Sequence, residues 1–200
     1  AAAPAPIAEA AAAAAAAGPW EAVTRECGSP AEDAYATVDP ECHVRSATAA
    51  LWRGLEAGGE LGRLRCHTER GASYDGLAVR WGLGFMQPSA DACCRACLDH
   101  RPGDVPGPFE RLPCNAWVWC GDPQGCFEPD AHAHSFGDCW LKWTEAPQSP
   151  EVNQREGAMG EAFEARHRAG LARGVGWVSG VLLPEGASAT NGTWSPRARW

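Results

Sequence analysis

The chain contains a single lysine, Lys142, and no run of five or more Lys and Arg residues. With a formal net charge of −8, it lacks the basic face whose counterion release drives tight nucleic-acid binding. Nucleic acid is therefore not expected as a partner. No apolar stretch reaches the ~18 residues of a spanning helix, so no transmembrane span is expected. The sequence has no G-x-S-x-G motif and no glycine-rich phosphate loop, and its Asp, Glu and His residues form no certifiable catalytic constellation. These absences lead to the expectation of a non-enzyme, with no catalytic residue, no cofactor and no resident metal. Aliphatic residues are scarce as well. Leu, Ile, Val and Phe make up only 28 of the 200 residues, below the ~20% at which disorder becomes a serious prospect. The 45% hydrophobic content is inflated by alanine.

Ten tryptophans and ten cysteines offset that shortage. Tryptophan buries a large area per residue, and cross-links remove entropy from the unfolded chain. Eight of the cysteines lie between Cys66 and Cys139, three of them in the helix-like run Ala90 to Leu98. An even count permits five bridges, and a disulfide framework belongs to an oxidising compartment.

The chain divides into four stretches. Residues 1–19 are an Ala-rich, low-complexity tail. It lacks Met and a basic start, so it reads as a mature terminus or a boundary and not as an intact signal peptide. The end at Trp200 has no natural stop signal, so a cut chain is one reading. Residues 20–65 form an N-terminal extension in which Ser46 or Thr48 caps a short helix to Leu55, closed by Gly58-Gly59. Residues 66–143 form the core module. Residues 144–200 are a Pro/Gly-rich C-terminal extension, with a short exposed helix over 161–172, whose arginines make a solvated face. Residues 175–183 make either a strand or an adhering arm. The cysteine pattern does not repeat, so one module is expected.

Within the module, Gly76 to Trp81 reads as a strand. Ser89 is an N-cap with Asp91 in the first helical turn, and Pro102-Gly103 ends the helix near His100. Ala90, Cys93, Cys94, Cys97 and Leu98 share one helical stripe. Alternation over the strand Cys114–Cys120 places Cys114, Ala116, Val118 and Cys120 on one face, with Trp117 and Trp119 on the other. In the next strand, Cys139, Leu141 and Trp143 oppose Trp140 and Lys142. Trp117, Trp119 and Trp140 are thus expected together on the sheet face away from the helix. There they form either a second core layer or an aromatic platform for a sugar or a protein, with Asn115 and Lys142 as polar neighbours.

A strand with Tyr74-Asp75-Gly76, a helix bearing C-x-x-x-C, a Cys-ending connection into a strand and then Cys139-Trp140-Leu141-Lys142 resemble the PAN/Apple family. The resemblance covers roughly 66–143. Trp117-Val118-Trp119-Cys120, the Cys120/Cys126 loop and Gly176-Trp177-Val178-Ser179-Gly180 are similar to plant and algal members. It implies an α+β fold: a small disulfide-stapled antiparallel sheet cradling one helix, here with irregular N- and C-terminal extensions. It also implies bridges Cys93–Cys139 and Cys97–Cys114. Cys120 and Cys126 are placed to close a local loop. Cys27, Cys42, Cys66 and Cys94 have no family partners. Cys27–Cys42 with Cys66–Cys94 is one pairing among those that spacing leaves open. No cysteine follows Cys139, so a bridge tying the module's ends is not expected. Family members mostly bind proteins or carbohydrates in adhesion and assembly. The expected role is accordingly a binding or structural module with a protein or glycan partner. The alternative is an accessory subunit whose arms, 1–65 and 144–200, wrap a larger complex. The compartment is expected to be extracellular, with the thylakoid lumen as the alternative that the plant-like resemblance adds.

Three further patterns carry chemistry. His67-Thr68-Glu69 with Cys94-x-x-Cys97 resembles a zinc-deaminase signature, but Cys93 stands where that signature has proline. His132 and His134 in a polar loop are either solvated or, with cysteines, structural zinc ligands. Asn191-Gly192-Thr193 fits the N-glycosylation acceptor pattern, making Asn191 a candidate modification site.

Overall fold

The computed structural model describes residues 20, 24–31, 37–156, 164–165 and 174–196. The Ala-rich tail lies outside them, as does the expected helix over 161–172, except for Glu164 and Ala165.

Asp39 opens a short helix α1 (Pro40–Arg45) by accepting from the Glu41 amide. Ser46 caps α2 (Ala47–Ala57) through the Ala49 amide, and Gly58 ends it, as the sequence predicts. A 3₁₀ turn (Leu61–Arg63) then leads into strands β1 (Leu64–Arg70), β2 (Ala72–Tyr74) and β3 (Leu77–Arg80). The cysteine-bearing helix α3 (Ala90–Asp99) starts at Ser89, whose hydroxyl accepts from the Ala92 amide. Strands β4 (Ala116–Cys120), β5 (Cys139–Trp143), β6 (Glu151–Arg155), β7 (Trp177–Pro184) and β8 (Thr193–Trp194) follow.

The architecture is α+β. Five antiparallel strands form the main sheet in the order β1-β7-β4-β5-β3. A smaller sheet, β2-β6-β8, pairs β2 with β6 antiparallel and β6 with β8 parallel. All ten cysteines are bridged: Cys27–Cys42, Cys66–Cys94, Cys93–Cys139, Cys97–Cys114 and Cys120–Cys126. The second and third pairs from the helix, to Cys139 and Cys114, are those the resemblance implies. Five bridges fit an oxidising compartment. Among the described residues no helix is long and apolar enough to cross a membrane.

Three differences from the sequence reading stand out. First, the described part of 144–200 is not irregular. Strand β7 runs between β1 and β4, and its apolar side chains Val178, Val181, Leu182 and Leu183 are buried. A central strand must satisfy two ladders, so 177–184 is not an adhering arm and is not free to wrap a partner. Second, the described part of 20–65 is tied to the core, since Trp20, Ala49 and Trp52 join the buried cluster. Third, Trp117 and Trp119 lie on the helix side of the sheet. Directly opposed residues of an antiparallel pair share a face. Trp119 stands opposite Cys139, which is bonded to Cys93 of α3, and Trp117 stands opposite Leu141. The alternation itself holds from Ala116 to Cys120, but Cys114 precedes the strand and bonds to Cys97 of α3, so it does not mark the face of Ala116, Val118 and Cys120 as the helix side. The intervening Asn115 turns its amide to the Thr144 backbone, donating to the carbonyl at 2.8 Å and accepting from the amide at 2.7 Å.

Candidate functional site

With the helix on one face of the sheet, the other face is free to build a cavity. Cross-strand pairs put Ala78, Lys142, Val118, Trp140 and Trp177 on that side. The segment 128–134 arches over them, and Ser73 of β2 and Asn153 of β6 close one wall. The cavity, open to solvent at one side, has a volume of about 420 Å³, within the range of small-molecule sites.

The arch is held from several directions. The Cys120–Cys126 bridge fixes its base. The Phe127 carbonyl accepts from Trp177 Nε1 and Gln154 Nε2, each at 2.8 Å. The Cys126 amide donates to the His134 carbonyl at 3.0 Å. Gly125 must be glycine here: its φ is +90°, and a Cβ would stand 2.5 Å from that carbonyl.

Aromatic rings dominate the lining. Trp140, 8% exposed, lies 5.1 Å from Trp81, which is 54% exposed at the mouth. Trp81 also meets the edge of His132, and buried His134 stands edge-on to both Trp140 and Trp177. Trp140 presses against Gly82, where a Cβ would fall 2.1 Å from its ring.

Polar groups sit among these rings. Glu128 accepts from Ser73 Oγ at 3.0 Å, Asn153 Nδ2 at 3.1 Å and Gln154 Nε2 at 2.9 Å. Asp130 faces His134 Nε2 at 3.1 Å. Buried Lys142 donates to the Tyr74 carbonyl at 2.6 Å. Three lining residues carry a buried polar atom with no partner among the described residues: Trp140 Nε1, His134 Nδ1 and Asn153 Oδ1. Native interiors leave few such atoms, and they concentrate where a ligand, ion or water completes the bonding.

Of the candidate binding residues, the structure brings Trp140 and Lys142 to the cavity. It places Trp117 and Trp119 in the helix-side layer. Asn115 is fully buried in its backbone contact with Thr144. Sequence reasoning missed Trp81, Trp177, Glu128, Asp130 and Asn153. Only the two loop histidines signalled the arch. His67, Glu69, Cys94 and Cys97 are not assembled into a zinc set. Cys94 and Cys97 are bonded to Cys66 and Cys114. Glu69 is bound by the Arg155 guanidinium at 2.8 Å and by Tyr74 Oη at 2.5 Å. His132 and His134 have no cysteine thiol beside them, since every cysteine is bridged. Asn191 is exposed just before β8.

Burial lowers the pKa values of His67 and His100; around His100, Asp104 opposes the shift while Arg80 and Arg101 add to it. Burial alone would raise Glu69, but hydrogen bonds from Arg155 and Tyr74 overcome it and the net shift is downward. Each group binds protons more weakly folded than unfolded, so unfolding takes up protons at acid pH. Stability is expected to be full above pH ~6.5 and to fall as the histidines protonate in the unfolded chain. It falls further through the carboxylate range as Glu69 loses its ion pair. Non-reducing urea melts at pH 7.5, 6 and 4 check this; a midpoint that rises on acidification contradicts it.

Compared with protein-family models, with curated proteins and with solved structures, the chain finds no match.

Proposed function

We propose that the chain is a non-enzymatic, PAN/Apple-like binding module whose cavity takes a saccharide ring. The observation that carries this reading is the meeting of adjoining, mutually tilted tryptophans with unpaired and carboxylate hydrogen-bonding atoms in one cavity. A pyranose presents an apolar C–H face and a rim of hydroxyls. Trp140 and Trp81 offer rings for the first, while Glu128, Asp130 and Asn153 offer partners for the second. Such a module serves adhesion or assembly outside the cell or in a lumen. A protein partner is the second reading, favoured by exposed Leu83, Met86 and Phe136.

The test is calorimetric titration of the whole chain with neutral hexose and N-acetylhexosamine oligosaccharides. Trp81→Ala is expected to weaken binding about 30-fold, the cost of losing an aromatic anchor worth ~2 kcal/mol. Because Trp81 is half exposed, the near-UV dichroism and the melt should stay close to those of the parent. Equal binding by parent and variant sinks the saccharide site. Flat titrations of the parent shift the weight to protein docking.

A further inference from the structure

A second cluster lies away from the cavity, where the N-terminal segment meets α1. His43 is 2% exposed, and neither ring nitrogen has a hydrogen-bond partner among the described residues. Native proteins rarely leave a buried imidazole with nothing to bond. Beside it stands Glu145, 3% exposed. Its carboxylate accepts from the Glu26 and Cys27 amides, each at 3.0 Å, and its carbonyl accepts from the Thr48 hydroxyl. Cys27 Sγ, a ring nitrogen of His43 and a carboxylate oxygen of Glu145 all lie within 4.8 Å of one another. Cys42, the residue before His43, is bonded to Cys27, so a second sulfur adjoins the Cys27 member of this group.

Two sulfurs, one imidazole and one carboxylate are a tetrahedral donor set. Zinc binds Cys sulfur at ~2.3 Å and His nitrogen or carboxylate oxygen at ~2.0–2.2 Å. That geometry sets donors roughly 3.3–3.8 Å apart, so the two sulfurs would separate once the bridge opens while the imidazole and the carboxylate draw in from within 4.8 Å. We propose that Cys27, Cys42, His43 and Glu145 form a zinc site when the Cys27–Cys42 bridge is opened. A dithiol reductant supplies two electrons, is oxidised to its own disulfide and leaves two thiols on the protein. Zinc then binds both as thiolates, and their two protons pass to solvent. With neutral His43 and ionised Glu145, the site carries a net charge of −1.

Access permits opening of this bridge. Cys27 and Cys42 are both partly exposed, whereas the cysteines of the three bridges Cys93–Cys139, Cys97–Cys114 and Cys120–Cys126 are all buried. Exchange needs a thiolate to reach a sulfur, so three of the four bridges of the core are shielded, while Cys27–Cys42 and, through exposed Cys66, Cys66–Cys94 are open to attack. Either the disulfide or the metal then joins residues 24–31 to α1, and His43 gains a bonding partner only with the metal.

The experiment exposes the whole chain to limiting dithiothreitol with zinc, removes both by desalting, and measures bound metal, alkylation at each cysteine and near-UV dichroism. Expected are about one zinc per chain and Cys27 and Cys42 shielded from alkylation. Cobalt(II) in place of zinc should give a thiolate charge-transfer band. His43→Ala should weaken zinc binding at least ~100-fold, since even outer-shell changes at such sites cost ~10–100-fold. His43→Cys, which restores a fourth donor, should regain it. The proposal is overturned by no retained zinc, by equal retention in His43→Ala, or by zinc that leaves both thiols reactive. Loss of the dichroism on opening the bridge overturns it too, because the site then has no folded form.

Discussion

Trp117→Ala is expected to destabilise the chain by about 3–5 kcal/mol, the usual cost of emptying a large aromatic site in a core. Trp117 is fully buried, stands opposite Leu141 on β5 and lies across Gly180 on β7, where a Cβ would come within 2.5 Å of its ring. The strands are drawn together over that glycine, so the space cannot collapse without moving the centre of the sheet. Total stability of a domain is about 5–15 kcal/mol, and the loss is a large share of it. Non-reducing urea unfolding of parent and variant measures the effect. A loss below 1 kcal/mol would mean Trp117 is not the core residue its position makes it. The contrast with Trp81→Ala is diagnostic. One variant should lose the fold and its binding together, and the other should lose binding alone.

Removing the Cys93–Cys139 bridge, by Cys93→Ala with Cys139→Ala, is expected to cost about 4 kcal/mol, because it closes a loop with a sequence separation of 46. Removing Cys120–Cys126, with a separation of only 6, should cost about 2 kcal/mol by the same entropy argument. The ordering matters more than either value. The first bridge ties α3 to the main sheet, while the second fixes the base of the cavity arch. The short-loop pair should therefore impair ligand binding more than its stability cost implies. Comparison of urea midpoints and sugar titrations for the two double variants checks both halves. Equal stability losses would reject the loop-entropy account.

Local signals made parts of this fold readable. Ser89 before α3 and Ser46 before α2 act as caps because a hydroxyl can satisfy an amide that the helix itself leaves free. The cysteine stripe Cys93, Cys94 and Cys97 is fully buried because helical periodicity puts all three on one side. The alternation in Cys139 to Trp143 separates Trp140 and Lys142 from Leu141 correctly, as that strand is regular from end to end. Other elements gave little warning. Strand β6, Glu-Val-Asn-Gln-Arg, carries buried polar residues whose partners come from Glu128 and Phe127, more than twenty positions away. A hydrophobic pattern cannot register a strand stabilised by distant hydrogen bonds. Strand β1 is an exposed edge with little apolar content.

By itself the sequence determined a covalently stapled α+β chain, the helix that bears the staples and the absence of a basic surface. These follow from residue type, spacing and capping, which act over a few positions. Only the tertiary structure decided which tryptophans face the helix and which face the cavity, and it drew Trp81, Glu128, Asp130 and Trp177 to one place. The physical reason is that a side chain's face depends on strand register and on where β7 inserts. Both are set by pairings between residues far apart in the chain.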